Sequence, residues 1–148
     1  MPGDYDGDGE TDIAVFEPTT GTWYILGSSV GFFSETLGNM GTVPVPGDYD
    51  GDGRCDVATY EASSGRWLIL NSRSGDISTA NWGYAMTSPS PCDYDGDNLC
   101  DIAVLERSSG RWFILQSTTG YRLQNWGYSG TIPVVPQDLI NRILNLTP

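Results

Sequence analysis

The chain has no histidine and no lysine, and all seven of its basic residues are arginine. Without histidine, Ser-His-Asp and Cys-His catalysis and the common zinc sites are excluded together. Positive charge is sparse in total: 19 acids against 7 bases leave a formal charge of -12, which argues against a nucleic-acid surface, since phosphates call for basic patches. Nor is there an apolar run near the roughly 18 residues that a spanning helix needs. Met1 leads straight into a repeat with no signal peptide, so a mature domain, or a piece of one, is expected. Cysteine is limited to Cys55, Cys92 and Cys100. What remains suits one folded domain: 148 residues with 39% hydrophobic content, enough for a core.

The stretch Asp4-Tyr5-Asp6-Gly7-Asp8-Gly9-Glu10-Thr11-Asp12 returns as Asp48 to Asp56 and again as Asp93 to Asp101. Each copy puts carboxylates at loop positions 1, 3, 5 and 9: Asp4, Asp6, Asp8 and Asp12; Asp48, Asp50, Asp52 and Asp56; Asp93, Asp95, Asp97 and Asp101. Four like charges on nine residues repel unless a hard cation with oxygen ligands draws them in, and the opening positions are those of an EF-hand loop. That loop closes on a bidentate Glu at its twelfth position, where this chain has Val15, Thr59 and Val104. Closure is therefore expected through Asp12, Asp56 and Asp101, with the backbone carbonyls of Glu10, Arg54 and Leu99 as fifth protein ligands. Gly9 and Gly53 suit a left-handed backbone after the third Asp, and Asn98, the next most tolerant residue, replaces them in the third copy. Lone Asp/Gly clusters are ordinarily solvated turns, but three in one register point to three calcium sites. Twelve of the 19 acids are these loop aspartates, and three divalent cations would bring the charge to -6.

Trp23, Trp67 and Trp112 recur with spacings of 44 and 45 residues, a period of propeller-blade size. Each loop is followed by a short apolar run (Ile13 to Phe16, Val57 to Tyr60, Ile102 to Leu105), a turn ending in Gly21, Gly65 or Gly110, and a second run from the repeated Trp. Consecutive apolar positions predict strands buried on both faces, as in a blade held between two others. A further turn at Gly31, Gly75 or Gly120 leads to a more polar strand fit for an outer edge, Phe32 to Leu37, Asp76 to Trp82 and Tyr121 to Trp126. The proline-bearing segments 42–46 and 87–91 are expected as innermost strands, because proline cannot donate to a ladder. The expectation is an all-β fold of three four-stranded repeats of about 44 residues, over residues 1–136 (about 2–43, 44–88 and 89–136), with a tail at 137–148 read as a short helix capped by Asp138.

The segment Val45-Pro46-Gly47-Asp48-Tyr49-Asp50-Gly51-Asp52-Gly53-Arg54-Cys55-Asp56-Val57-Ala58 resembles the FG-GAP or VCBS-type repeat, and the likeness extends from Pro2 to about Pro136. The resemblance implies a calcium-binding β-propeller of the kind in integrin α subunits and secreted bacterial proteins. There calcium is structural, and the propeller faces bind proteins or, in some lectins and polysaccharide-active enzymes, glycans. Three repeats are too few to close a ring that takes roughly four to eight blades. Either two chains form a six-bladed homodimer, with 131–136 as a spare inner strand for the other protomer, or the sequence is a fragment of a longer propeller.

Cys92 and Cys100 each precede a ligand of the third loop, so a disulfide between them is expected, with Cys55 to Cys92 as the competing pairing. Such a bridge, like the calcium sites, belongs outside the cytosol, and a secreted or cell-surface protein is expected. Trp23, Trp67 and Trp112 read as inter-blade core. Trp82 and Trp126, followed by Tyr84 and Tyr128, sit at strand ends and are the candidate glycan-binding residues, whose first-repeat counterparts are Leu37 and Asn39. Glu17, Glu61 and Glu106 recur at one position, in two repeats opposite Arg66 and Arg111 as cross-strand pairs. A glycosidase needs two carboxylates in unlike environments, so no catalytic residue is assigned and no enzyme is expected. The sequence therefore predicts an interaction or adhesion module for a protein ligand, with a calcium-dependent lectin as the alternative.

Overall fold

The computed structural model describes residues 2–134. The expected helix over 137–148 lies outside the described residues, and among those described there is no helix. Three antiparallel sheets follow one another along the chain, each built as a simple meander. The first holds β1 (Ile13–Glu17), β2 (Thr22–Gly27) and β3 (Gly31–Thr36). The second holds β4 (Thr42–Pro44), β5 (Val57–Glu61), β6 (Arg66–Leu70) and β7 (Ile77–Asn81). The third holds β8 (Thr87–Pro89), β9 (Ile102–Glu106), β10 (Arg111–Gln116) and β11 (Gly120–Asn125). The segment expected as a spare inner strand at 131–136 forms none over its described part, Thr131 to Val134.

The repeat keeps one register between the paired strands that carry the tryptophans, β1 with β2, β5 with β6 and β9 with β10, while β7 is shifted by one residue against β6 relative to its counterparts. Phe16 pairs with Trp23, Tyr60 with Trp67 and Leu105 with Trp112, and in each sheet the indole N–H reaches past the next strand to a carbonyl: Leu37 at 3.1 Å, Trp82 at 2.8 Å and Trp126 at 2.8 Å. The short proline-bearing β4 and β8 lie at one edge of their sheets, and the polar β7 and β11 at the other. That order satisfies the ladder, since a strand lacking donors is tolerated only at an edge.

The sheets stack face to face. Trp23, Ile25 and Tyr5 of the first repeat pack against Val57, Leu68 and Leu70 of the second, and Trp67, Ile69 and Val45 of the second against Ile102, Val104 and Phe113 of the third. Trp23 and Trp67 are wholly buried, as expected of core; Trp112, at the end of the stack, is half-buried. Burial on both faces holds for β5, whose Val57, Ala58, Thr59 and Tyr60 are all buried, but not for β1, where Ile13 and Val15 are exposed. Among the described residues no sheet covers that face of β1, so the alternate residues of the same apolar run meet water.

Candidate metal centres

Each aspartate loop enters a sheet through one antiparallel bridge, Gly3 with Asp12, Gly47 with Asp56 and Cys92 with Asp101, which closes the nine-residue segment into a ring of backbone. Inside the ring every carboxylate faces backbone N–H groups. At position 1, Asp4 accepts from Gly7 at 2.6 Å and Gly9 at 2.8 Å; Asp48 and Asp93 do the same with Gly51 and Gly53, and with Gly96 and Asn98. At position 5, Asp8, Asp52 and Asp97 each accept from the N–H of Glu10, Arg54 or Leu99 at 2.8 Å. The expected left-handed turn is present in all three loops, with Gly9, Gly53 and Asn98 at φ of 86°, 88° and 70°.

Position 9 is the hub. Asp12, Asp56 and Asp101 are 1%, 0% and 1% exposed, and each spans two parts of its repeat. One oxygen accepts from Tyr5, Tyr49 or Tyr94 N–H at 2.7 to 2.8 Å, which ties down the loop start. The other accepts from Ser28, Ser72 or Ser117 N–H at 2.7 to 2.8 Å, which ties down the turn between the second and third strands. Position 3 reaches the same turn, where Asp6 accepts from Ser29 and Val30, Asp50 from Arg73 and Asp95 from Thr119. These turn residues were not singled out by sequence reasoning, although Ser28, Ser72 and Ser117 recur in register and that recurrence was the available signal.

The hydrogen bonds have electrostatic consequences. The Ser29 N–H holds the Asp6 carboxyl below its ordinary value, and the hydroxyls of Ser117 and Thr118 bring Asp97 down to about 2. Burial pushes Asp56 up, against the opposing pull of the Ser72 and Tyr49 N–H groups. A carboxylate that is both buried and raised is one that a cation would stabilise.

Oxygen atoms of three aspartates per loop converge within 4.8 Å of one another: Asp4, Asp6 and Asp8; Asp48, Asp50 and Asp56; Asp93, Asp95 and Asp101. Asp12, Asp52 and Asp97 complete the same rings without joining the converging trio. The donor set is all carboxylate and carbonyl oxygen, which suits calcium, magnesium or manganese and not a soft metal. One atom fits such an ion directly, because Asp95 Oδ1 is buried and has no hydrogen-bond partner. The three clusters could thus each hold a metal ion.

The expected disulfide between Cys92 and Cys100 is not formed, and all three thiols are free. Cys100 turns toward the preceding repeat, where its Sγ would lie 2.6 Å from a Cβ added to Gly47, and Cys55 stands in the same way against Gly3 at 2.7 Å. Cys92 occupies the glycine's position on its own repeat and is exposed. Burial lifts the Cys55 and Cys100 thiols to about 12, whereas Cys92 faces water.

The candidate glycan-binding residues divide. Trp82 is half-buried and donates its indole N–H to the Phe113 carbonyl at 3.0 Å; Tyr84 stands edge-on to Phe113 and donates to Glu106, which pushes the phenol up to about 12. Both are part of the contact between second and third sheets. Trp126 and Tyr128, their counterparts, are 78% and 74% exposed. Of the repeated Glu–Arg pairs, Glu106 and Arg111 approach to 4.0 Å, at the surface.

No curated protein and no solved structure matches the chain. Residues 4–59, which carry the first loop, the first sheet and the whole second loop, match the model of the FG-GAP-like repeat, the family that the loop motif resembles.

Proposed function

We propose that this chain is a non-catalytic, calcium-binding β-propeller module of the extracellular space or cell surface, used for protein interaction or adhesion, in which calcium locks the loop of each repeat. The observation that carries the reading is the threefold recurrence of one carboxylate ring, with converging oxygens and a buried hub aspartate that joins the loop to the turn of its own sheet. An ion there neutralises charges that the fold otherwise holds together, and so stabilises the folded state by mass action, about 2.7 kcal/mol per site at a hundredfold excess over Kd. Titration calorimetry is expected to give three calcium equivalents per chain, with a melting temperature that falls on chelation and recovers with calcium. Unchanged melting after chelation would refute it.

The lectin reading retains Trp126 and Tyr128 as exposed aromatic faces. It predicts a calcium-dependent hit on a glycan array that Trp126→Ala removes and Trp82→Ala does not.

A further inference from the structure

The two ends of the stack are the halves of a contact that the molecule already makes twice. Among the described residues the third sheet leaves its Trp112 face open, as an apolar recess of about 580 Å³ lined by Leu105, Trp112, Trp126 and Tyr128 and bordered by the chain from Thr131 to Val134. The first sheet leaves open the face that its successors bury, with Ile13, Val15, Leu26 and Phe32 at 67%, 59%, 55% and 67% exposed. In the second and third sheets the residues aligned with Ile13 and Val15 are Val57 and Thr59, and Ile102 and Val104; three are buried and Ile102 half-buried against the preceding sheet.

The two internal contacts differ in chemistry, and the open ends match one of them. Between first and second sheets, Leu37 belongs to the cluster that meets a second sheet whose facing residues are aliphatic, Leu68 and Leu70, and Asn39 holds the place of Tyr84. Between second and third the contact is aromatic: Trp82 bonds the Phe113 carbonyl and stands edge-on to Tyr121 at 5.6 Å, while Tyr84 meets Phe113 at 6.4 Å and donates to Glu106. At the open end of the third sheet Trp126 and Tyr128 hold the places of Trp82 and Tyr84. At the open face of the first sheet Tyr24, Phe32 and Glu17 hold the places of Phe113, Tyr121 and Glu106, as the registers of β2 with β3 and of β10 with β11 require. One chain thus carries both halves of the aromatic contact, at opposite ends.

We propose that a second copy of this chain docks its first sheet on the third sheet of this one, head to tail. Trp126 donates to the Tyr24 carbonyl of the next copy and packs on its Phe32, and Tyr128 donates to its Glu17, whose carboxylate has acceptor sites beyond those used by Thr20 and Tyr24. Two copies place six sheets in a closed ring with two identical seams, inside the roughly four to eight that such rings hold, whereas three copies would exceed it. The proposal goes beyond the calcium reading and does not depend on it.

The loops continue the seam. Cys55 N–H donates to the Asp4 carbonyl and Cys100 N–H to the Asp48 carbonyl, both at 2.6 Å, so Thr11 N–H of the next copy meets the Asp93 carbonyl. Here the Gly–Cys pair of the internal contacts becomes Cys92 with Thr11. A Cβ on Gly47 would lie 3.0 Å from that of Cys100, so the seam opens there by roughly half an ångström, to the Cβ separation of about 3.5 to 4.5 Å that a disulfide spans. A cysteine at position 11 is therefore within bridging reach of Cys92.

Sedimentation of the full chain in calcium is expected to show a two-copy species at high micromolar concentration. Two double variants, Trp126→Ala with Tyr128→Ala and Tyr24→Ala with Phe32→Ala, are each expected to sediment as one copy, with unchanged far-ultraviolet dichroism and calcium uptake. Mixed together, the two restore a two-copy species held by a single seam. Thr11→Cys is expected to give a covalent dimer under mild oxidation that Cys92→Ser abolishes. A wild-type monomer, a dimer that survives both double variants, or a dimeric Thr11→Cys chain that does not cross-link would overturn the seam, and calcium uptake in the same samples reports separately on the loops.

Discussion

β1 and β5 begin with nearly the same residues, Ile13-Ala14-Val15-Phe16 and Val57-Ala58-Thr59-Tyr60, yet β5 is buried on both faces and β1 on one. The pattern is local, but the burial belongs to the neighbour: β5 lies between two sheets, and among the described residues β1 has a sheet on one side. The difference should be largest for the biggest side chains. Trp67→Ala removes a fully buried indole and its bond to the Trp82 carbonyl, and is expected to destabilise the fold by about 3 to 5 kcal/mol in urea titration. Trp112→Ala, at the half-buried end of the stack, is expected to lose less than half of that. Equal losses would break the comparison.

The loops give the opposite expectation. Asp12, Asp56 and Asp101 are equally buried and accept from equivalent N–H groups whichever sheet they serve. Each carboxylate, once removed, orphans at least two donors at about 1 to 3 kcal/mol apiece, so Asp12→Ala, Asp56→Ala and Asp101→Ala should each cost about 2 to 6 kcal/mol in chelator, with similar values for the three. Burial adds a pH signature to Asp56. Its folded value stands above the ordinary 3.8, so its contribution is fully present below that value and declines as pH rises through the folded one. In the metal-free protein the Asp56 contribution should therefore fall over that window, opposite in sign to those of the lowered Asp6 and Asp97, so Asp56→Ala should lack that part of the slope and calcium should reverse it by favouring the carboxylate.

Smaller side chains sharpen the comparison further. Val57→Ala is expected to cost about 1 to 2 kcal/mol, and Ile13→Ala under about 0.5 in dilute protein, where Ile13 faces water. If a second copy covers the first sheet, the Ile13→Ala penalty should grow with protein concentration while that of Val57→Ala stays constant. Thermal melts at two concentrations separate them.

What could be read from the sequence follows the same division. The loops were legible because aspartate, glycine and asparagine act within nine residues, where side-chain acceptors and left-handed backbone leave few alternatives. The core positions of Trp23 and Trp67 were legible from the repeat. The end of the stack was not, because periodicity is the same in a sheet with one neighbour and a sheet with two. That also misdirected the cysteine reading: Cys92 and Cys100 are near in sequence, but the stacking turns Cys100 onto Gly47 of the preceding repeat. The contacts of Trp82 and Tyr84 were out of reach for the same reason, since their partners Phe113, Tyr121 and Glu106 come from the next repeat.

The finest test concerns two backbone positions where no neighbour intervenes. Asn98 and Met86 are the non-glycine residues at positive φ among the described residues, 70° and 85°. Asn98 follows the loop aspartates where Gly9 and Gly53 stand, and its N–H reaches Asp93 as theirs reach Asp4 and Asp48. Asparagine visits this region at little penalty, and glycine adds unfolded-state entropy, so Asn98→Gly should shift stability by no more than about 0.5 kcal/mol. Met86 has no such tolerance: the left-handed backbone costs an ordinary side chain about 1 to 2 kcal/mol, and its side chain is 72% exposed, so little packing offsets the strain. Glycine there gives up roughly 0.5 to 1 kcal/mol in backbone entropy, which leaves Met86→Gly stabilising by about 0.5 to 1 kcal/mol. Glycine already fills the corresponding position at Gly130, with φ of 91°. A melting temperature that rises for Met86→Gly and stays put for Asn98→Gly would show that these turns are set by their own residues, while the faces of the sheets are set by what stands next to them.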